Sequence, residues 1–91
     1  MPFDYDFNAL IKESNRTLYA FLNTEANLGL TFARLAEYER DIGNVEHYEK
    51  SKANAIRAAE TIERLKERLP AASKREIETR VLKLKKFIST L

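Results

Sequence analysis

The sequence predicts an all-α fold: a three-helix bundle built on a long antiparallel helical hairpin, with a C-terminal amphipathic helix completing it. Three observations carry this. The 91 residues hold only two glycines and two prolines, and they are rich in Ala, Leu, Glu, Lys and Arg, which all favour helix. Apolar residues recur at the three-to-four spacing that gathers them on one helix face. Gly43-Asn44 interrupts two such runs with a connection of only a residue or two, and a short connection makes the neighbouring helices antiparallel. Residues 1–91 read as a single helical domain with helices at about 7–42, 45–69 and 73–90.

The first helix is placed from Phe7, with Asp6 as its N-cap and Tyr5 and Leu10 spaced as a hydrophobic staple across that cap. Phe7, Leu10, Ile11, Leu18, Phe21, Leu22, Leu28, Phe32, Leu35 and Ala36 share one broad face at about 100° per residue. A break near Asn23-Thr24, with Thr24 capping a second segment, is the competing division. Gly43 has the position of a left-handed residue ending the helix, and Asn44 that of a cap for the next. The second helix turns Val45, Tyr48, Ala55, Ala58, Ala59, Ile62, Leu65 and Leu69 inward, and Pro70 ends it by restricting the residue before it. Ser73 and Glu76 have the spacing of a capping box that opens the third helix. Its Ile77, Val81, Leu84, Ile88 and Leu91 alternate spacings of four and three, and Glu76 and Arg80 form an i,i+4 pair outside that seam.

A turn centred on Gly43-Asn44 pairs Gly29 with Ala58, Leu28 with Ala59 and Phe32 with Ala55, so small residues face each other and the backbones approach closely. Asn27-Leu28-Gly29 followed by Phe32 resembles the first-helix signature of tetratricopeptide repeats, in which a Leu-Gly pair precedes an aromatic residue three positions after the glycine. In that family the turn follows about seven residues after the glycine, whereas Gly43 lies fourteen after Gly29, so the hairpin is a lengthened one. The family's small second-helix position falls on Ala55, while its aromatic and next small positions fall on Ala59 and Ile62, a departure. The resemblance covers about 35 residues in one copy, without the repetition that builds a solenoid. It implies tetratricopeptide-like hairpin packing. The whole chain also resembles small helical bacterial proteins, which implies no activity.

Composition excludes several classes of function. With no cysteine, no disulfide framework and no thiolate metal site is available. No apolar run approaches the roughly 18 residues of a membrane span, and the N-terminus lacks the basic-then-apolar order of a signal peptide, so the expected location is cytoplasmic. His47 is the only histidine, and a helical metal site needs several ligands at i, i+3 or i+4 spacing. Ser14, Ser51 and Ser73 have no His/Asp company, and no glycine-rich phosphate loop or dinucleotide fingerprint is present. No catalytic, cofactor or metal residues are expected, and the chain does not read as an enzyme.

Charge is uneven: residues 1–50 carry 5 basic and 9 acidic groups, and residues 70–91 carry 6 basic and 2 acidic. Lys74, Arg75, Arg80, Lys83, Lys85 and Lys86 are spread around the third helix with one aromatic, Phe87, which offers no stacking platform for nucleic acid. Glu25 projects into the apolar stripe and calls for a partner, for which Arg80 or a neighbouring lysine is in reach. Glu39, also on the apolar side, is expected against Tyr48 and Lys52. A second helix ending at Leu69 pairs back only to about Leu18, leaving Phe7, Leu10 and Ile11 on an overhang of about 11 residues, roughly 16 Å. The function expected is therefore that of a non-enzymatic protein-interaction or structural module that self-associates, with Phe7, Leu10, Ile11 and Glu25 as contact residues. The alternative is a weak nucleic-acid or anionic-surface binder acting through the basic C-terminal helix.

Overall fold

The computed structural model describes residues 7–91, with side chains from residue 12 onward. The Asp6 cap, the Tyr5–Leu10 staple and the Phe7, Leu10 and Ile11 contact surface lie outside the described side chains. Helix α1 runs unbroken over Phe7–Asp41. Asn23 and Thr24 do not interrupt it, because each turns its side chain back on its own helix: Asn23 Nδ2 donates to the Tyr19 carbonyl at 3.2 Å and Thr24 Oγ1 to the Ala20 carbonyl at 3.1 Å.

The end of α1 is a Schellman turn. Gly43 takes φ 79°, a left-handed conformation cheap only for glycine. Its amide donates to the Arg40 carbonyl at 3.1 Å, and the Asn44 amide donates to the Glu39 carbonyl at 2.9 Å, satisfying carbonyls the helix end would orphan. Asn44 then caps α2 (Val45–Leu65), its side chain accepting from the His47 amide at 3.3 Å.

The sequence places the end of α2 at Leu69. The α-helical ladder stops earlier, at Leu65, and tightens into a 3-10 turn over Lys66–Arg68 before Leu69 extends with ψ 151°. Pro70 is the cause, since it pushes its predecessor out of the helical region. Helix α3 spans Ala71–Ser89 and begins at once, the Pro70 carbonyl accepting from the Lys74 amide at 2.8 Å. Ser73 is therefore already inside the helix and the Ser73–Glu76 capping box does not form.

The bundle packs as the hairpin register requires. A Cβ built on Gly29 would lie 3.1 Å from Ala58 Cβ and 2.6 Å from Leu84 Cδ2, so this glycine marks the line where α1 meets both other helices. Ala26, Ala33 and Ala36 on α1 and Ala55, Ala58 and Ala59 on α2 are buried with it. Larger side chains fill the ends and the α3 side: Leu22, Ile62, Ile77 and Val81 are fully enclosed, and Leu69 and Leu84 nearly so. At the far end of α3, Arg40 Nη1 donates to the Thr90 carbonyl at 2.9 Å and the Tyr48 hydroxyl donates to the Leu91 carbonyl. The end of α3 is thus held beside the hairpin turn.

Candidate interaction surface

Helix α3 covers one face of the hairpin. The α1 residues that bond to it here include Tyr19, whose hydroxyl donates to the Glu76 carboxylate, and Asn23 and Asn27, whose side-chain oxygens accept from Arg80. Arg80 Nη1 also donates to the Asn23 carbonyl at 3.2 Å. Both ends of the expected Glu76–Arg80 pair are thereby engaged on α1 instead.

On the side of α1 turned away from α3, Phe21, Leu28, Leu35 and Ile42 recur every seven residues, and they are between 44% and 58% exposed. The sequence puts Phe21, Leu28 and Leu35 in the core. They are displaced from it because α1 turns its small residues toward α2, where close backbone approach brings the helix faces together, and the larger side chains then fall to the rim. Val45 on α2 is likewise exposed rather than inward. Beside this row runs a second one, Thr17, Thr24, Thr31 and Tyr38, also exposed. Together the rows alternate steps of four and three, the seam of a coiled coil. Neither row holds a charge. The Thr24 and Thr31 hydroxyls donate to the Ala20 and Asn27 carbonyls of their own helix, at 3.1 and 3.0 Å.

Glu25 sits half-buried at the edge of this surface, and among the described residues it forms no ion pair. Arg80, its expected partner, is taken by Asn23 and Asn27. Glu39 is buried against α2, but its partners are not Tyr48 and Lys52. Ser51 Oγ donates to Glu39 Oε1 at 2.6 Å and His47 Nδ1 lies 3.6 Å from Oε2, while Lys52 stands over the Tyr48 ring at 5.8 Å. The α-helical register explains the exchange: His47 and Ser51 are one turn apart on the side of α2 that faces α1. Among the described residues, Glu39 Oε2 has no hydrogen-bond partner.

A cleft of ≈ 650 Å³ opens between α2 and α3, lined by Ile56, Ala59 and Ile88 and rimmed by Glu60, Glu63, Arg64 and Lys85. On its rim Glu63 is paired, Lys85 Nζ lying 3.5 Å from its Oε1 and Lys66 Nζ 3.0 Å from its Oε2. Among the described residues, no cluster of three or more His, Cys, Asp or Glu is placed to hold a metal, and no helix is long and apolar enough to cross a membrane.

Comparison with protein-family models, with curated proteins and with solved structures finds no match. What the surface can do rests on its own chemistry: a long helix face whose two rows carry no charge, with the Thr24 and Thr31 hydroxyls bonded inside the helix, is suited to contact with another apolar surface.

Proposed function

We propose that this chain is a non-enzymatic protein-interaction or structural module that self-associates, its hairpin a single lengthened copy of tetratricopeptide-like packing, working in the cytoplasm, the ordinary setting of a domain without disulfides. The observation that carries it is the uncovered row Phe21, Leu28, Leu35 and Ile42. Contiguous exposed apolar surface of this extent marks an interaction site. Ser51, the serine nearest a histidine, gives its hydroxyl to Glu39, which supports contact rather than catalysis.

The nucleic-acid alternative draws less support. Lys74 pairs with Glu67 and Glu78, Lys85 with Glu63, and Arg80 is spent on α1, which leaves Arg75, Lys83 and Lys86 as the cations of α3 without such partners among the described residues. Light scattering across protein and salt concentration tests the choice. Self-association that persists at high salt is expected. A chain that stays monomeric at millimolar concentration refutes self-association, and steeply salt-dependent binding to an oligonucleotide puts the anionic-surface reading in its place.

A further inference from the structure

We infer that the exposed α1 seam is the contact between two copies of this chain, packed antiparallel about a two-fold axis near Leu28–Thr31. The inference rests on the self-association proposed above and names the surface, the partner and the orientation.

Three features of the seam select a second copy. The first is charge. A partner for this face must itself be uncharged along roughly 38 Å of helix, at 1.5 Å per residue, and the face supplies its own match. The second is shape. Laid antiparallel, the seam overlaps end to end, with Thr17 opposite the partner's Ile42, Phe21 opposite the partner's Tyr38, Thr24 opposite the partner's Leu35 and Leu28 opposite the partner's Thr31. The three aliphatic residues thus meet threonine at every layer, and the two large aromatics face each other near the ends. A parallel pair would instead set Phe21 against Phe21 and threonine against threonine, and would align the helix dipoles that the antiparallel pair opposes. At the α3-side edge of the seam, Arg34 comes opposite the partner's Asn27 and Asp41 opposite the partner's Ala20, so no like charges face one another there.

The third is area. Phe21, Leu28, Leu35, Tyr38 and Ile42 are between 44% and 61% exposed. With large side chains presenting about 150–250 Å² each when free, this is on the order of 500 Å² per copy. Two copies and their threonines approach the roughly 1,200 Å² at which specific interfaces begin. Burial of the threonines adds little desolvation cost, because the Thr24 and Thr31 hydroxyls are already bonded within the helix.

The test uses the full chain. Light scattering of the parent should give twice the 10.6 kDa of one chain. A Leu28→Glu, Leu35→Glu variant should return to one chain's mass with unchanged helical circular dichroism, since both positions are exposed. A Leu10→Asp, Ile11→Asp variant should remain dimeric. Because the chain has no cysteine, orientation is read by mixing Thr17→Cys with Ile42→Cys under oxidation. The mixed disulfide is expected, and neither variant should cross-link with itself. A parent dimer that survives Leu28→Glu, Leu35→Glu overturns the seam and leaves self-association standing. Self-cross-linking of each variant without the mixed product overturns the antiparallel order, and a parent monomeric at millimolar concentration overturns both levels together.

Discussion

Gly29 shows how one missing side chain sets the spacing of all three helices. A larger residue would strike Ala58 on one side and Leu84 on the other, and neither can move far because both are buried. Gly29→Leu should therefore destabilise the fold by about 1 to 3 kcal/mol through overpacking, outweighing the gain in helix propensity from removing a mid-helix glycine, about 1 kcal/mol. Urea denaturation measures the difference, and a variant as stable as the parent would mean that α1 and α2 are not this close. Glu39 is the opposite case, a charged side chain in a place that packing alone would give to an apolar one. Its Oε1 accepts from Ser51, and His47 Nδ1 lies 3.6 Å from its Oε2. The sequence signals the burial, since Glu39 falls on the apolar side of α1, but not the partners, because which side of α2 meets α1 depends on where the turn leaves the chain.

At the scale of the helices, the all-α class, the glycine turn and the Gly29–Ala58 approach are legible in the sequence, whereas the continuity of α1 through Asn23-Thr24 is not, because Thr24 equally suits a cap and a back-bonded helix residue. The legible features follow from short-range physics: propensity, capping and the length of one connection. The rotation of α1 about its own axis is less legible. Its periodic residues form two rows, one small (Ala26, Gly29, Ala33, Ala36) and one large (Phe21, Leu28, Leu35), and hydrophobicity alone favours burying the large one. The structure buries the small row because it lets the backbones meet, and the regular sevenfold spacing of the large row was the available signal that it serves a different surface. The start of α3 misleads for a local reason, since Pro70 opens the helix before the Ser73 box can act.

Ion pairs between elements carry a pH signature. The Lys66 hydrogen bond, with the Lys66 and Lys85 charges, holds the Glu63 carboxyl below its ordinary value of 4.5 despite the opposing effect of burial. The folded value is the lower one, so the contribution of Glu63 is full above 4.5 and is lost as pH falls through the folded value. Lys74 runs the other way. The Glu67 hydrogen bond raises it above its ordinary 10.5, so its contribution is full below that value and is lost as pH rises through the folded one. The urea midpoint should be flat from roughly pH 6 to 9 and decline at both extremes. Glu63→Gln should lessen the acid decline and Lys74→Met the alkaline one. The Glu63 effect should be less than about 1 kcal/mol, because that pair is partly exposed to solvent. Identical pH profiles for parent and variants would remove these pairs from the stability of the fold.

For the molecule as a whole, the division of labour among faces is the controlling fact. The hairpin has two broad sides, α3 closes one, and the other leaves Phe21, Leu28, Leu35 and Ile42 exposed. Removing residues 71–91 would bare Leu22, Ala59 and Ile62 on the side α3 now covers, leaving two helices with apolar surface front and back. Such a remnant should aggregate or lose its sharp urea transition, and a monomeric remnant that unfolds cooperatively would show that the hairpin holds its own core.

That remnant also stands for the chain before α3 is seated. The bonds from Arg40 and Tyr48 to the Thr90 and Leu91 carbonyls tie the end of α3 to the hairpin turn, so the helix cannot be fully seated until those residues have left the ribosome. Until then the hairpin, which precedes α3 in the chain, would carry two uncovered apolar faces. Of these, one is closed from within its own chain, and the other is the face assigned to the proposed dimer. A newly made chain that meets another copy too early has two faces to choose between, and the seating of α3 leaves it one.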